Sequence, residues 1–558
     1  MSNTAAIERR RKVGHAEAMV IPEASVGARL RQFTGAMFAG LMIILAGCSS
    51  RSAPSPGAYG VSPGFVGAVV ADEPQAALVG RDVLRQGGSA ADAAIAMYFT
   101  MAVTLPSQAA LGGGGVCISY NPATNEAQSL EFLARAPSSA STAGDRPTAV
   151  PGNVRGMFAL HGIYGRLRWA QLLAPAENLA RFGLPVSRAL AMDLAQVQDA
   201  LAAEPEVSRI FAGPGGTPMV REGDPLVQPD LAHVMALIRT NGPAEFYSGA
   251  LADQLLAGVR AAGGSLDRSD LADYQPAWRK PLAVGYDDRK AYFTPPPPAG
   301  GGLGGQIWAM LVKDGRWIDA KEDLRDAVVV DAALRAFSDR PAWGSSPADP
   351  QELVASSRVD ALLAGAETLP APPKGIPQEP QNPAAATFIA VDREGGAVAC
   401  AVTLNSLFGT GRVAQGTGIV LAALPGPGGR GAAMLGPMVV VQPRGRQFVF
   451  AGAAAGGVAA PTALADVAAR SLLGRQSLDD AAAAARIHGG SEGSVAYAEP
   501  AAAAASLQAL VDRGWQIVTV PRLGRVNAIL CPDGMQNSPE LCVAGSDPRG
   551  LGLAVTSD

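Results

Sequence analysis

The chain has 558 residues, of which 48% are apolar and 17% are charged, so it can bury a large core and is not a disordered polymer. Its 45 basic residues nearly balance its 49 acidic ones, which argues against a nucleic-acid partner. With four histidines and five cysteines that lack Cys-x-x-Cys spacing, neither a metal site nor a cofactor is expected.

Residues 1–47 are predicted to be a leader with a lipoprotein signal peptide. An apolar run over 36–46 follows the basic pair Arg29 and Arg31, and it is too short to span a bilayer comfortably. The sequence Leu-Ala-Gly-Cys that ends at Cys48 resembles the bacterial lipobox, so Cys48 is expected to be lipidated. The alternative is a short transmembrane anchor with an incidental cysteine.

Residues 48–64 are rich in Ser, Pro and Gly and are predicted to be a flexible tether. The expected location is therefore the bacterial envelope, with the exported protein held by its lipid and facing the periplasm. The membrane is a partner through that anchor only.

Export would place the cysteines in an oxidising compartment. Cys531 and Cys542 flank a polar, turn-rich stretch and are predicted to form a local disulfide. Cys117 and Cys400 lie in apolar, strand-like runs and are expected to be buried, inert thiols.

The mature part begins with a predicted strand over 65–71 and a helix over 74–85. A second helix starts at Ser89, a good N-cap, and Asp92 lies in its first turn, where a carboxylate favours the helix dipole. The glycines at 112–115 precede a strand rather than a helix, so they indicate a tight backbone crossing and not a phosphate-binding loop.

The middle of the chain, about 169–271, shows helical apolar spacing, whereas the later part is strand-rich. Strands are predicted over 387–391 and 397–404, joined by a hairpin turn at 392–396. Two more strands, 438–442 and 447–451, precede Gly456 and Gly457, which open an alanine-rich helix. Strands and helices in separate blocks predict a layered α+β sandwich.

Ordered blocks covering essentially all of residues 66–550 resemble the gamma-glutamyltransferase family. The main blocks are Ala71–Ala76, Leu84–Ala94, Pro106–Gly115, Val150–Gly156, Gly223–Leu231, Glu245–Gly249, Asp270–Tyr274, Pro295–Gly302, Leu334–Arg340 and Val391–Gly411. Many blocks in one order make the resemblance specific for fold and family, and less so for substrate.

The resemblance implies a four-layer αββα sandwich of the N-terminal-nucleophile hydrolase type. It also implies a precursor that cuts itself before a nucleophilic threonine, here giving a large-subunit-like region, 65–386, and a small-subunit-like region, 387–558. Cleavage would create an α-amine with a pKa of about 7.7–8.0 that can take the hydroxyl proton. Glycine amides would then stabilise the oxyanion.

The nucleophile of the family falls on Ala385 when the chain is counted back from Asp392 without a gap. Alanine has no nucleophilic group, and the nearest hydroxyl belongs to Thr387, two residues on. Thr387 is therefore either a shifted nucleophile and base or simply the first residue of a β-strand, which suits a β-branched side chain.

The family's substrate-binding residues are also altered. Its glutamate-binding arginine falls on Leu133, and Arg135 either substitutes from the same strand face or is a solvated surface residue. Its paired serines fall on Ala433 and Met434.

Other residues of the family's site are retained. Thr403 and Asn405 match its accessory threonine and substrate-contacting asparagine, and on a strand both could point at one site. Gly456 and Gly457 match its oxyanion glycines. The alternatives are an ordinary strand end for the first pair and a turn leading into a helix for the second.

Two functions follow from the resemblance. The first is an amide hydrolase or acyl transferase acting on glutathione or related gamma-glutamyl compounds through a self-processed Thr387, with two fragments of one chain staying together. The second is an unprocessed, non-catalytic family member that serves as an envelope binding or structural protein. A nucleotide-binding enzyme is excluded, because no strand–glycine loop–helix carries a phosphate-binding lysine.

Overall fold

The computed structural model describes residues 65–138, 146–343, 349–365, 385–426, 434–491 and 493–557. The predictions made for the leader over 1–47, the tether over 48–64 and lipidation at Cys48 lie outside these residues.

The helices and strands follow one another along the described chain. The helices are α1 (Pro74–Arg85), α2 (Ala90–Thr104), α3 (Pro106–Ala109), α4 (Asn153–Tyr164), α5 (Trp169–Phe182), α6 (Arg188–Ala202), α7 (Pro205–Phe211), α8 (Pro229–Asn241), α9 (Ala244–Ser248), α10 (Ala250–Ala261), α11 (Arg268–Ala272), α12 (Ala299–Val312), α13 (Arg325–Asp339), α14 (Ser356–Ala364), α15 (Ala460–Leu472), α16 (Leu478–Ala483) and α17 (Ala504–Asp512). The strands are β1 (Gly67–Ala71), β2 (Gly114–Asn121), β3 (Glu126–Phe132), β4 (Leu184–Pro185), β5 (Pro225–Leu226), β6 (Ala277–Arg279), β7 (Leu282–Tyr286), β8 (Arg289–Phe293), β9 (Ala385–Asp392), β10 (Ala397–Thr403), β11 (Val413–Ala414), β12 (Ile419–Val420), β13 (Met438–Gln442), β14 (Gln447–Ala455), β15 (Ile487–Gly489), β16 (Val495–Ala498), β17 (Gln516–Thr519), β18 (Arg525–Leu530), β19 (Val543–Gly545) and β20 (Leu553–Ser557).

Two antiparallel sheets form the centre of the fold. The first has seven strands in the order β20-β1-β9-β10-β2-β3-β6, and the second has six in the order β19-β18-β14-β13-β8-β7. The first sheet joins β1 and β20, from the two ends of the described chain, whereas the second sheet takes its strands in reverse chain order, all from Leu282 onward. The antiparallel sheets and the helix layers packed against them make this an α+β fold, as the sequence predicted.

The side chains of β9 show how the layers are arranged. Phe388 and Ala390 pack with the helices α1 and α2, whereas Ile389 and Val391 pack against the second sheet. The far face of the second sheet is covered by α12, α13 and α15. Because both faces of each sheet are buried, the strands read as continuous apolar runs rather than alternating ones. The order of layers is helix, sheet, sheet, helix, which is the four-layer αββα sandwich of N-terminal-nucleophile hydrolases.

Several local predictions are confirmed. The Ser89 hydroxyl accepts a hydrogen bond from the Asp92 amide, and the Asp92 carboxylate accepts one from the Ser89 amide, so the two residues form a capping box at the start of α2. A Cβ on Gly114 would collide with the backbone of Ala134, which is why the crossing there requires glycine.

The expectation that Cys117 and Cys400 are free thiols is wrong. They form a disulfide between β2 and β10, with Cα atoms 4.1 Å apart. The two residues lie directly opposite each other in the antiparallel ladder, where such an approach is normal. Their separation of 283 residues hid this proximity in the sequence. The structure also joins Cys531 to Cys542, the pair singled out from the sequence.

A buried histidine makes the stability of this fold dependent on pH. Nδ1 of His488 lies 3.0 Å from the Thr462 hydroxyl, and Nε2 lies 2.9 Å from the Ser491 hydroxyl. Burial lowers the pKa of His488 from 6.5 to about 4. A depressed pKa means that the stabilisation is present above pH 6.5 and is lost as the pH falls towards 4.

We therefore expect wild-type protein to lose about 2 kcal/mol of unfolding free energy between pH 7.5 and 5 that His488→Gln does not lose. Burial raises the pKa of Asp326 to about 7 and that of Asp392 to about 6, and these carboxyls act in the opposite direction. The measurement therefore compares the unfolding free energies of wild-type protein and His488→Gln, obtained by urea denaturation at pH 7.5 and at pH 5. Equal pH slopes would contradict the prediction.

Candidate functional site

Ala385, the position that corresponds to the nucleophile of the resembled family, begins β9 at the centre of the first sheet. It lies opposite Thr403 in β10, and Thr403 in turn lies opposite Gly114 in β2. Leu133 follows the end of β3, the next strand of the sheet. The nucleophile position on β9 and the anchor position after β3 thus lie in one row across the sheet, with β10 and β2 between them.

The surroundings of Ala385 are apolar. Ala385 is only 4% exposed and belongs to a small cluster between the two sheets, which we term the apolar cluster. Its members are Val116, Ala385, Ala401, Leu435 and Ala455, and the partly buried Leu133 packs against them. Under the correspondence that the family resemblance implies, a methyl group stands at the nucleophile position and an isobutyl group at the arginine position. This arrangement can neither attack a carbonyl nor pair with a carboxylate.

Thr387 is the third residue of β9 rather than its first, and it is completely buried. Its hydroxyl donates to Asp72 Oδ2 over 3.1 Å and accepts from Asn527 Nδ2 over 2.8 Å. Its main-chain N–H donates to the same Asp72 oxygen over 2.7 Å. Both functional groups of Thr387 therefore have partners inside the core.

Asp72 organises a largely buried polar group between the sheets, in which the Arg525 side chain is 18% exposed. We term it the Asp72 network: Asp72, Gln108, Thr387, Arg525 and Asn527. Nε of Arg525 lies 2.9 Å from Asp72 Oδ1, and Asn527 Nδ2 donates to the same oxygen over 2.9 Å. Arg525 Nη2 also donates to the Ala385 carbonyl over 2.9 Å and to Gln108 Oε1 over 3.2 Å. The network thus fixes the backbone at the first residue of β9.

The electrostatics of the network favour a permanent ion pair. Burial opposes the charge on Arg525, but the Asp72 carboxylate outweighs it, so the pKa of Arg525 lies above its ordinary value. Sequence analysis missed both residues. The only local signal was polar residues at alternating positions, 525 and 527, in an otherwise apolar strand.

Thr403 and Asn405 lie at the end of β10, beside Ala385. The main-chain N–H of Asn405 donates to the Thr403 hydroxyl over 3.0 Å, and its side-chain Nδ2 donates to the Ala423 carbonyl over 2.9 Å. The strand ends at Thr403, and Asn405 has a φ of 66°. The position of Asn405 is therefore not set by strand alternation, on which the sequence prediction was based. It is set by a left-handed turn and the hydrogen bonds of that turn.

Gly456 and Gly457 link β14 to the helical turn that precedes α15. Their φ values are 137° and 59°, which favour glycine, and a Cβ on Gly456 would come within 2.5 Å of the Gly524 Cα. Ala455, the preceding residue, belongs to the apolar cluster. The glycine pair thus lies next to the cluster, and its closest approach is a packing contact with another backbone.

Arg135 does not join these residues. Its guanidinium pairs with Glu131 over 2.8 Å and lies 5.1 Å from the centre of the Tyr274 ring, and its side chain is 43% exposed. β3 ends at Phe132, so the same-face argument does not extend to Arg135. Of the two positions of the family's serines, Ala433 lies outside the described residues and Met434 is buried.

The described ranges contain neither a cluster of metal ligands nor a membrane-spanning helix. No group of three or more His, Cys, Asp or Glu side chains there could hold a metal ion. In the same residues no helix combines the length and hydropathy needed to cross a membrane.

Comparison with known proteins places this fold and site in a family. The model of the gamma-glutamyltranspeptidase family matches residues 76–557. The glutathione hydrolase proenzyme of Pseudomonas aeruginosa is 31% identical over 385 residues, which cover 64% of this chain and 67% of that protein. The glutathione hydrolase proenzyme of Escherichia coli is 31% identical over 393 residues, which cover 64% of this chain and 65% of that protein.

A solved structure shows the same fold. The cephalosporin acylase from Bacillus halodurans matches with a TM-score of 0.73 and 24% identity, over 90% of this chain and 98% of that one. At this identity the likeness concerns the fold alone. The family match extends over most of the sequence, and the chain is therefore a member of the gamma-glutamyltranspeptidase family.

Proposed function

We propose that this chain is an unprocessed, non-catalytic member of its family that serves as a binding or structural protein of the cell envelope. The observation that carries the proposal is the apolar cluster. Ala385 and Leu133, the positions of the nucleophile and the anchor, pack in one apolar group. Two catalytic functions are thus replaced together, by side chains that fill the same space.

The competing hypothesis makes Thr387 a shifted nucleophile. That mechanism needs a free α-amine on Thr387 and a hydroxyl that can reach a substrate carbonyl. The Thr387 nitrogen and hydroxyl are instead held by Asp72 and Asn527, and the residue is fully buried. These contacts support a role for Thr387 in packing the two sheets.

Cleavage before Thr387 would also remove two residues from β9. Ala385 and Ala386 are paired with Thr403 and Val402, and Arg525 donates to the Ala385 carbonyl. A cut there would break β9 next to these paired residues. The contacts support an intact strand.

We further propose that the protein is exported and anchored by a lipid at Cys48, facing the periplasm. The lipobox-like sequence before Cys48 supports this location. So do the two disulfides, Cys117–Cys400 and Cys531–Cys542, because structural disulfides persist in oxidising compartments.

One measurement tests both proposals. The full chain is expressed in a bacterium, purified from the membrane fraction and reduced, and its intact mass is measured under denaturing conditions, with sequencing of any internal N-terminus. We expect one polypeptide that begins at Cys48 and carries an acyl modification, and no release of p-nitroaniline from gamma-glutamyl-p-nitroanilide. A second polypeptide beginning at Thr387, together with turnover, would instead establish the hydrolase. A mass without acyl groups would refute the anchor.

A further inference from the structure

A cavity of about 380 Å³ lies at the other end of β9 from Ala385. It is enclosed by the start of α2, the end of α4 and the β9–β10 hairpin, and Asp392, the last residue of β9, forms part of its wall. The volume falls in the range of small-molecule sites. Neither the apolar cluster nor the Asp72 network contributes to it, so the cavity is separate from the site discussed above.

The walls of the cavity are held by hydrogen bonds. The Asp392 carboxylate accepts from the Ala90 amide over 3.0 Å and from the Gly396 amide over 2.8 Å. The Ser89 hydroxyl donates to the Tyr164 carbonyl over 2.8 Å, and the Tyr164 hydroxyl donates to Gln128 over 2.8 Å. Helix, hairpin and loop are therefore fixed to one another by these hydrogen bonds.

Two opposite charges line the cavity. Arg166 Nη1 lies 2.9 Å from Glu394 Oε2, and the two side chains are 45% and 24% exposed. An exposed pair of this kind contributes only about 0–1 kcal/mol. Glu394 also accepts from Nε of Arg393 through its other oxygen, over 3.2 Å. A guanidinium has five N–H donors and a carboxylate has about four lone-pair sites, so these contacts leave capacity for a ligand on both Arg166 and Glu394. Replacing the Arg166–Glu394 contact by contacts to a ligand, or adding such contacts to it, therefore costs little free energy.

The remaining lining is mainly apolar. Ala90, Ala91, Ile163, Ala397 and Val398 surround the charged pair. Asp392 lies among them, and burial raises its pKa to about 6. Shifted carboxyls tend to occur in functional cavities, although here the carboxylate also has a structural role.

We propose that this cavity binds a free α-amino acid with an apolar side chain. Its carboxylate contacts Arg166, its ammonium group contacts Glu394, and its side chain packs against Ile163 and Val398. A simple anion would leave Glu394 beside a like charge, and a simple cation would do the same to Arg166. A zwitterion satisfies both, and in an α-amino acid the two charges are as close together as they are in the Arg166–Glu394 pair.

The test is isothermal titration calorimetry of the full chain with three probes of similar shape. The probes are L-leucine, L-leucinamide, which lacks the carboxylate, and 4-methylpentanoate, which lacks the ammonium group. We expect saturable binding of L-leucine and at least about tenfold weaker binding of the other two, because each loses one charged hydrogen bond. No saturable heat with L-leucine, or equal binding of all three, would overturn the proposal.

The variants Arg166→Gln and Glu394→Gln should each weaken L-leucine binding by at least about tenfold. Glu206→Gln is the matched control, because the Arg209–Glu206 pair has nearly the same exposure, 46% and 25%, and lies outside the cavity lining. Equal affinity in all three variants would also overturn the assignment. Thermal unfolding of each variant shows that it folds. The result is independent of whether the chain is cut, so a failure here leaves the proposed function untouched.

Discussion

Replacing Asp72 with alanine is expected to lower the free energy of unfolding by about 3–5 kcal/mol, because it leaves Arg525 as an unpaired charge in the core. Asp72 is 3% exposed, and its carboxylate is the partner of Arg525, Asn527 and Thr387. Removing it therefore also leaves the buried Asn527 amide with one hydrogen bond fewer. The measurement is urea denaturation followed by far-UV circular dichroism.

The double variant Asp72→Leu, Arg525→Met separates the charge effect from a general loss of packing. Each single change should be strongly destabilising, whereas the double variant should lose less than the sum of the two, because no unpaired charge is left. Arg209→Ala removes two exposed pairs, with Glu206 and Asp230, and should cost far less than Asp72→Ala, about 1 kcal/mol. Additive losses in the double variant, or a small loss for Asp72→Ala alone, would show that the network does not hold the sheets together.

The sequence predicted features that depend on near neighbours. The N-cap of α2 at Ser89, the glycine crossing before β2, the β9–β10 hairpin and the helix after Gly457 all follow from residues a few positions apart. These turns, caps and hairpins are encoded by near neighbours, so a single sequence suffices for them. The layer order was instead inferred from the resemblance of the ordered blocks to the family.

Features that depend on partners distant in sequence were missed. Asp72 and Arg525 are 453 residues apart, and nothing in either segment identifies the other. The same holds for Cys117 and Cys400, which an apolar strand pattern made look like inert thiols. For Thr403 and Asn405 both the alternating spacing and a strand end near 404 were visible, but the left-handed turn at Asn405 and its hydrogen bond to the Ala423 carbonyl were not. Tertiary pairing decides these cases.

The candidate site shows both sides of this limit. The sequence identified Ala385 and Leu133 as departures from the family pattern, one residue at a time. Only the structure shows that they contact a common apolar group and that Thr387 is engaged by Asp72. Two separate departures thus become one coordinated replacement, and this coordination is what favours a non-catalytic protein over a displaced nucleophile.

The Cys117–Cys400 disulfide is expected to contribute most of the covalent stabilisation of the fold. It closes a separation of 283 residues, whereas Cys531–Cys542 closes one of 11. In the chain-entropy model these loops correspond to about 5.6 and about 3 kcal/mol of unfolding free energy. Cys117→Ala, Cys400→Ala should therefore lower stability more than Cys531→Ala, Cys542→Ala, as measured by urea denaturation without reductant. The reverse order would contradict the expectation.

A thiol count on the denatured, unreduced full chain checks the pairing itself. Of the five cysteines, four are paired in the structure, and Cys48 is the proposed site of the lipid, which would block its sulfur. For the lipidated protein we expect no reactive thiol, and two if Cys117 and Cys400 are free. The disulfide also crosses the position where the family divides its chain, because Cys117 precedes β9 and Cys400 follows its start. Even after cleavage at that position by an added protease, the two parts should therefore run as one band on a non-reducing gel and as two after reduction.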